Sequence, residues 1–300
     1  MRLSIITLTT DSALFIDEAI DSVPESDRPY VEHLIVHDGS DSYAAALKKR
    51  HPHVAILRGE GRGPAAAAAL GARRATGDFV FFLNSDDRLV RGSVGQLIAS
   101  AMCEPDVQIW TGGTRVFRTD KRGHDVTVRV VDSLESTELS LANLMDDLPL
   151  LTARFCRRSV YEAVGGLDPD YAQSSDREFM IRVAFAGFKD RPLNVMVSEL
   201  REHEGSLTIN RRRNWVPPYL EEHIRIADCY LAKPCTSART KAVFRNWRAR
   251  ETLRLLIYEL SARQWRAAAG LAIEASARDA SWWLRAATTV AAVRRRRRRR

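Results

Sequence analysis

Long apolar runs are missing from this 300-residue chain. The longest uncharged stretch near the C-terminus, residues 286–293, is far short of the ~20 residues a membrane-spanning helix needs. Cysteine is scarce as well. Cys103, Cys156, Cys229 and Cys235 are scattered, none forms C-x-x-C, and Cys229 and Cys235 have no histidines at zinc-like spacing. This argues against a structural zinc site and fits a reducing, cytosolic compartment. No G-x-G-x-x-G follows the first predicted strand, and no G-x-x-x-x-G-K-[ST] occurs anywhere, which disfavours dinucleotide and Walker-type phosphate sites. The opening Met1-Arg2-Leu3-Ser4-Ile5-Ile6 enters a strand at once and does not read as a signal peptide.

The composition is that of an ordinary globular protein, with 45% hydrophobic and 28% charged residues. The length allows one large α/β domain plus an appendage. The net charge of +8 is unevenly distributed. Residues 241–300 hold 16 Arg and Lys against 4 Asp and Glu, whereas the rest of the chain has a small acidic excess. The basicity belongs to a tail, not to the chain as a whole.

One stretch organises the remainder: Asp78-Phe79-Val80-Phe81-Phe82-Leu83-Asn84-Ser85-Asp86-Asp87. Five consecutive apolar residues predict a strand buried on both faces, and it runs directly into two adjacent carboxylates. Ligands of parallel α/β sheets bind beyond the carboxyl ends of the strands. Carboxylate oxygens there suit Mg²⁺ or Mn²⁺, and such an ion suits a diphosphate. The alternative is a polar loop in which Asp87 caps the next helix.

Upstream, strands are predicted at 4–9, 31–36 and 54–57, alternating with helices at 15–23, about 43–50 and 64–75. Together with the strand at 79–83 they predict a parallel, doubly wound sheet. Asp38-Gly39-Ser40 and Asn84-Ser85-Asp86-Asp87 then fall on one rim, because crossovers are right-handed. Downstream, strands are predicted at 107–110, 126–131, 152–156 and 193–197. Helices are predicted at 158–164, closed by Gly165-Gly166, and from about 176 to Gly187, with Ser174 or Ser175 as its cap.

With these residues in order, the chain resembles a family 2 glycosyltransferase of the GT-A fold, from Ser4 to about Thr208. His37-Asp38-Gly39-Ser40 is similar to the family's Asp-Asp-Gly-Ser. Ala75-Thr76-Gly77-Asp78 through Asn84-Ser85-Asp86-Asp87 resembles its A-x-G-(D/E) strand and Asp-x-Asp site. Val164-Gly165-Gly166-Leu167-Asp168 and then Ser175-Asp176-Arg177-Glu178-Phe179 resemble its G-G-(F/L)-D and Glu-Asp segments. The resemblance implies a GT-A-type, Rossmann-like, mostly parallel doubly wound sheet over 1–225, with a donor half to about 110 and an acceptor half to about 225. A helical extension would follow over 226–300.

It also implies inverting transfer of a sugar from a nucleotide diphosphate to a hydroxyl, in cell-surface polysaccharide or glycolipid assembly. Donor contacts would come from Thr7, Thr9, Asp38, Arg62, Asn84 and Ser85. Asp86 would hold Mn²⁺ or Mg²⁺, with His203 as a further candidate ligand, and Asp176 would be the general base. The chain departs from the family pattern at His37, Ser42, Ala66, Ala69, Asn84 and Ser175. A member that binds a nucleotide without turnover is therefore a second expectation.

The tail suggests partners of its own. Helix-compatible sequence from 243 to 293 carries Trp247, Leu253, Leu256, Ile257, Leu260 and Trp265, with arginines between them, then Trp282-Trp283 and seven arginines at 294–300. A solvated end is one reading. The other is a basic amphipathic segment, 270–300, on an anionic cytoplasmic membrane face, where a lipid-linked acceptor would be presented. The arginines would attract any polyanion, but no aromatic residues interleave with them, so no specific nucleic-acid partner is expected.

Overall fold

The computed structural model describes residues 1–133, 139–145, 151–203, 205, 216–234 and 236–299. The chain forms two compact units, Met1–Asn210 and Arg211–Arg300. The first unit opens with β1 (Leu3–Thr9), α1 (Ile16–Asp21), β2 (Val31–His37), α2 (Asp41–Arg50), β3 (Ala55–Arg58), α3 (Pro64–Arg74) and β4 (Phe79–Phe82). It continues through β5 (Arg88–Leu89), α4 (Ser93–Cys103), β6 (Ile109–Thr119), β7 (Asp125–Val131), α5 (Leu141–Leu144), β8 (Arg154–Arg157), α6 (Arg158–Val164), α7 (Ser175–Ala186) and β9 (Asp190–Arg201).

Among the described residues one sheet of nine strands runs β3-β2-β1-β4-β8-β6-β9-β5, with β7 paired to β6. The first four strands are parallel throughout. All four residues of β4 are buried. Phe79 and Phe81 pack in one core with Leu3, Ile5, Trp110 and Phe155, and the Phe81 and Phe155 rings stack at 4.6 Å. Register lines up the strand ends: Thr9 stands opposite His37, His37 opposite Arg58, and Ile6 opposite Phe82. The loops leaving β1, β2, β3 and β4 therefore share one edge, as the alternation of strands and helices predicts.

Beyond β4 the sheet is mixed. β8 is antiparallel to both neighbours, while β6 and β9 are parallel to each other. Both β6 and β9 are longer than the predicted 107–110 and 193–197. Their extensions, such as Arg115-Val116-Phe117-Arg118-Thr119, are too polar to read as buried strand. Two glycines let these strands approach. A Cβ at Gly112 would come within 2.2 Å of Val197, and one at Gly113 within 2.8 Å of the Met196 sulfur. The register slips at this point, and Asn194 takes a positive φ of 56° in the partner strand.

The second unit comprises α8 (Val216–Ala232), α9 (Ala238–Ser261), α10 (Trp265–Arg278) and α11 (Trp282–Arg299). α8 lies wholly in this unit, so the division falls upstream of the expected boundary at 225, which would cut through it. The continuous helix-compatible stretch is broken twice. Arg263 adopts a left-handed φ of 59°, and Asp279 accepts the amide and hydroxyl of Ser281 at 2.9 and 2.7 Å. Gly270 lies inside α10 and does not interrupt it.

Several arginines of this unit are internal ties. Fully buried Glu251 accepts Arg250 at 2.6 Å and Arg254 at 2.8 Å, with the His223 ring 3.6 Å away. Burial would push its carboxyl up, but His223 and the two guanidiniums outweigh that and hold it well below the usual carboxylate range. A depressed folded value means its contribution is present above the unfolded value of about 4.3 and is lost as pH falls. Glu251→Ala should destabilise this unit by roughly 3–5 kcal/mol. Chemical denaturation at neutral pH checks this, and the difference from wild type should shrink in acid.

Candidate active site

The loop leaving β4 settles which of the two adjacent carboxylates faces outward. Asp87 turns in. It is 4% exposed and accepts the Arg201 amide at 2.8 Å and the Asn84 side-chain amide at 2.7 Å. Burial, and then the charge of Asp86, push its carboxyl up to about 8. It neither caps α4 nor reaches solvent, and α4 begins instead after Gly92 in a left-handed conformation. Asp86 turns out, with its side chain 28% exposed. Exposed Asn84 and half-exposed Ser85 stand beside it.

Arg201, at the end of β9, locks this loop. Its Nε donates to the Asp86 carbonyl at 3.1 Å, one Nη to Thr119 at 3.2 Å and the other to Glu18 at 2.6 Å. The guanidinium lies 4.2 Å from the Phe15 ring centroid and 4.7 Å from that of Phe117. Glu18 also binds Arg88. Sequence reasoning missed Arg201, because an arginine in a polar strand end is unremarkable until its partners are known.

His203 follows two residues later. Its Nε2 lies 3.0 Å from Asp86 Oδ2, and its Nδ1 accepts the Gly205 amide at 3.1 Å. A backbone N–H can only donate, so Nδ1 carries the lone pair and Nε2 the proton. As placed, His203 is a hydrogen-bond donor to Asp86. To ligate a metal through Nε2 it would have to move its proton to Nδ1 and give up the Gly205 bond.

The β2 edge is held by a carboxylate that the motif reading overlooked. His37, where the family has an aspartate, is fully buried and stacks on Tyr43 at 5.1 Å. Its Nε2 lies 3.0 Å from Asp11 Oδ1, and both Asp11 oxygens accept the Ser40 amide. That amide holds the Asp11 carboxyl below its ordinary range. An acidic group beside position 37 is thus supplied by Asp11, in the turn after β1. Asp38 accepts the Gly61 amide at 3.0 Å, which ties the β2 loop to the glycine loop after β3. A Cβ at Gly59 would meet Asp38 Oδ1 at 1.9 Å. Arg58 closes the same loop by donating to the Gly39 carbonyl and, at 2.8 Å, to Asp41.

Not every expected donor contact reaches this edge. Thr7 is fully buried, and its hydroxyl lies 3.0 Å from the buried His33 ring. Its side chain supports the sheet and is withdrawn from the ligand-facing set. Thr9 sits at the strand end but is 5% exposed. Arg62 is exposed in the glycine loop, 3.5 Å from Glu60. Ala66 and Ala69 are buried packing residues of α3.

Asp176 lies in the first turn of α7 and is half-buried, accepting the Arg177 amide at 2.7 Å. Ser174 is the N-cap residue but makes no side-chain cap bond. Arg177 is buried and donates to the Leu144 carbonyl. Glu178 is buried and pairs with Arg182 at 2.6 Å. One turn along α7, Phe179 stacks on Tyr161 at 4.6 Å, and Tyr161 lies 6.4 Å from Phe82 at the end of β4. This aromatic chain fastens the helix of Asp176 to the strand that carries Asp86.

Among the described residues no cluster of three or more His, Cys, Asp or Glu is arranged to hold a metal ion. The fit is narrower than a protein-only cage. Asp86 is an accessible carboxylate backed by a buried second one, and Mg²⁺-type ions are commonly held by one or two carboxylates plus substrate phosphates and water.

Comparison with known proteins bears on the fold and the family. Crystal structures of S. aureus TarS are among those that are similar. TarS 1-349 matches with a TM-score of 0.64 at 16% identity, covering 92% of this chain and 81% of that one. Its complex with UDP-GlcNAc gives 0.61 at 15%, covering 87% and 73%. Its complex with UDP gives 0.56 at 15%, covering 87% and 72%. At such identity the likeness shows a shared fold, and among curated proteins none matches. The family model for Glycosyl transferase family 2 matches residues 4–160, more than half of the chain. That span holds the parallel strands, the glycine loop and the Asn84–Asp87 turn, so this chain belongs to glycosyltransferase family 2 and is a glycosyltransferase.

Proposed function

We propose that the enzyme transfers a sugar, with inversion, from a nucleoside diphosphate sugar to a hydroxyl acceptor. The observation that carries this is the division of labour at the end of β4: Asp87 packs inward while Asp86 faces the edge shared with the β2 and β3 loops. The base and ribose of the donor would lie along Asp38, Asp11 and the glycine loop, with Asn84 and Ser85 on the ribose side. Asp86 would hold Mn²⁺ or Mg²⁺, which supplies positive charge against the diphosphate leaving group. Arg201 keeps the Asp86 backbone fixed. Asp176 accepts the proton of the acceptor hydroxyl as that oxygen attacks the anomeric carbon from the face opposite the leaving diphosphate. A hydroxyl on a cell-surface polysaccharide or glycolipid precursor is the acceptor class we assign.

TarS, with the same fold, has been crystallised with UDP-GlcNAc and with UDP, so uridine donors lead the test. A thermal-shift screen of uridine, guanosine and thymidine diphosphate sugars with Mn²⁺ should show a cognate donor. At 100 times its Kd it should stabilise by about 2.7 kcal/mol. No shift with any donor would overturn the assignment. Gly59→Ala probes the donor edge directly. The new methyl forces Asp38 off Gly61, so nucleotide affinity should fall about tenfold or more, the scale of one hydrogen bond to a charged group. Unchanged affinity by titration calorimetry would remove Asp38 from the donor site.

A further inference from the structure

The helical unit exposes large apolar side chains that its own packing does not use. Trp265 is 63% exposed, Ile257 57% and Leu260 41%. All three flank the turn between α9 and α10, where exposed Arg263 and Arg266 also stand. Packing within the unit brings a further element to this turn. Arg248 of α9 and Arg278 of α10 share the Asp228 carboxylate at 2.8 and 2.7 Å, so α10 runs back beside α9. Trp282, at the start of α11, packs with Ala249, and Ala286 lies in the same cluster with Leu253 and Leu256. α11 therefore retraces α9 in its own direction. Equal rise along two α-helices places residue 293 level with Leu260, and the helical backbone continues through Arg299. The helical backbone of residues 294–299 thus passes the turn that carries Ile257, Leu260 and Trp265.

From this juxtaposition we infer that the α9–α10 turn and the arginine run form a docking surface for an anionic lipid bilayer. Charge complementarity selects the occupant. Between residues 255 and 273 the only acid is Glu259, which is buried, so the exposed charge of this stretch, at Arg263 and Arg266, is all positive. Tryptophan and aliphatic side chains beside a basic segment are the composition of a helix end that sits at the headgroup level. No described helix is long and apolar enough to cross a membrane, so the attachment is peripheral. Each basic residue near an anionic surface strengthens binding roughly fivefold and loses that gain in high salt. The surface differs from the one expected from sequence over 270–300. It adds Ile257, Leu260 and Trp265, while Arg278 and Arg285 are committed to Asp228 and Asp279.

The test is co-sedimentation of the full chain with vesicles of phosphatidylcholine alone or mixed with phosphatidylglycerol. Binding is expected only to the anionic vesicles. Deleting 294–300 should weaken it at least tenfold. The double variant Ile257→Ser/Trp265→Ser should also weaken it, with unchanged circular dichroism and donor thermal shift. Brominated lipids should quench tryptophan fluorescence in the wild type and less in Trp265→Ser. Three outcomes would each overturn the proposal: equal sedimentation with neutral and anionic vesicles, no effect of the double variant, or loss of all vesicle binding to competing DNA without any lipid quenching. The last would mark a general polyanion site. These readouts do not depend on turnover, so they stand or fall separately from the proposed reaction.

Discussion

Asp176→Asn should bind donor with wild-type affinity yet lose at least ~10²-fold in turnover, the usual scale of general-base catalysis. The substitution keeps size and most hydrogen-bonding capacity, and the Asp176 oxygen that accepts the Arg177 amide has an amide counterpart. It removes the group that takes the proton. The neighbouring carboxylate cannot substitute, because Glu178 is buried and bound to Arg182. Steady-state kinetics with donor affinity measured separately will show the split. Parallel loss of affinity and turnover would instead make Asp176 a donor-site or structural residue.

Asp86→Ala should lower transfer to ~10⁻³ of wild type or less, the scale seen when a group stabilising developing charge is removed. The fold should survive, because the inward Asp87 and Arg201 hold the loop together. Loss of the outward carboxylate should also abolish any dependence of donor binding on Mn²⁺. Near-wild-type transfer by this variant at saturating donor and Mn²⁺ would contradict the role assigned to Asp86.

Much of the donor half was legible because its signals are local. Apolar runs at 31–36 and 79–83 end in turn residues, and in the acceptor half Gly165-Gly166 likewise stops α6 where the pattern says it should. The rest depends on tertiary partners. β6 and β9 extend through polar residues because Gly112 and Gly113 let them pair closely, which no periodicity announces. Of two adjacent aspartates, the inward one is chosen by the Arg201 amide from a strand more than a hundred residues away. Asp11 was invisible for a similar reason: its meaning comes from His37 and Ser40. Thr7 misled in the opposite direction, since its strand position is right but its hydroxyl faces His33. The tail shows the same limit. Its arginines at 248, 250 and 254 stand between apolar positions in the sequence, which does not show that they pair with Asp228 and Glu251 inside the unit.

The measurement that tests the central claim most directly is sugar release or transfer from a labelled nucleoside diphosphate sugar with Mn²⁺, run on the wild type and on Asp176→Asn. The account predicts turnover by the wild type and, from the same bound donor, almost none by the variant. A wild type that binds the nucleotide sugar but turns over no faster than Asp176→Asn would contradict it, and would identify the protein as a nucleotide binder.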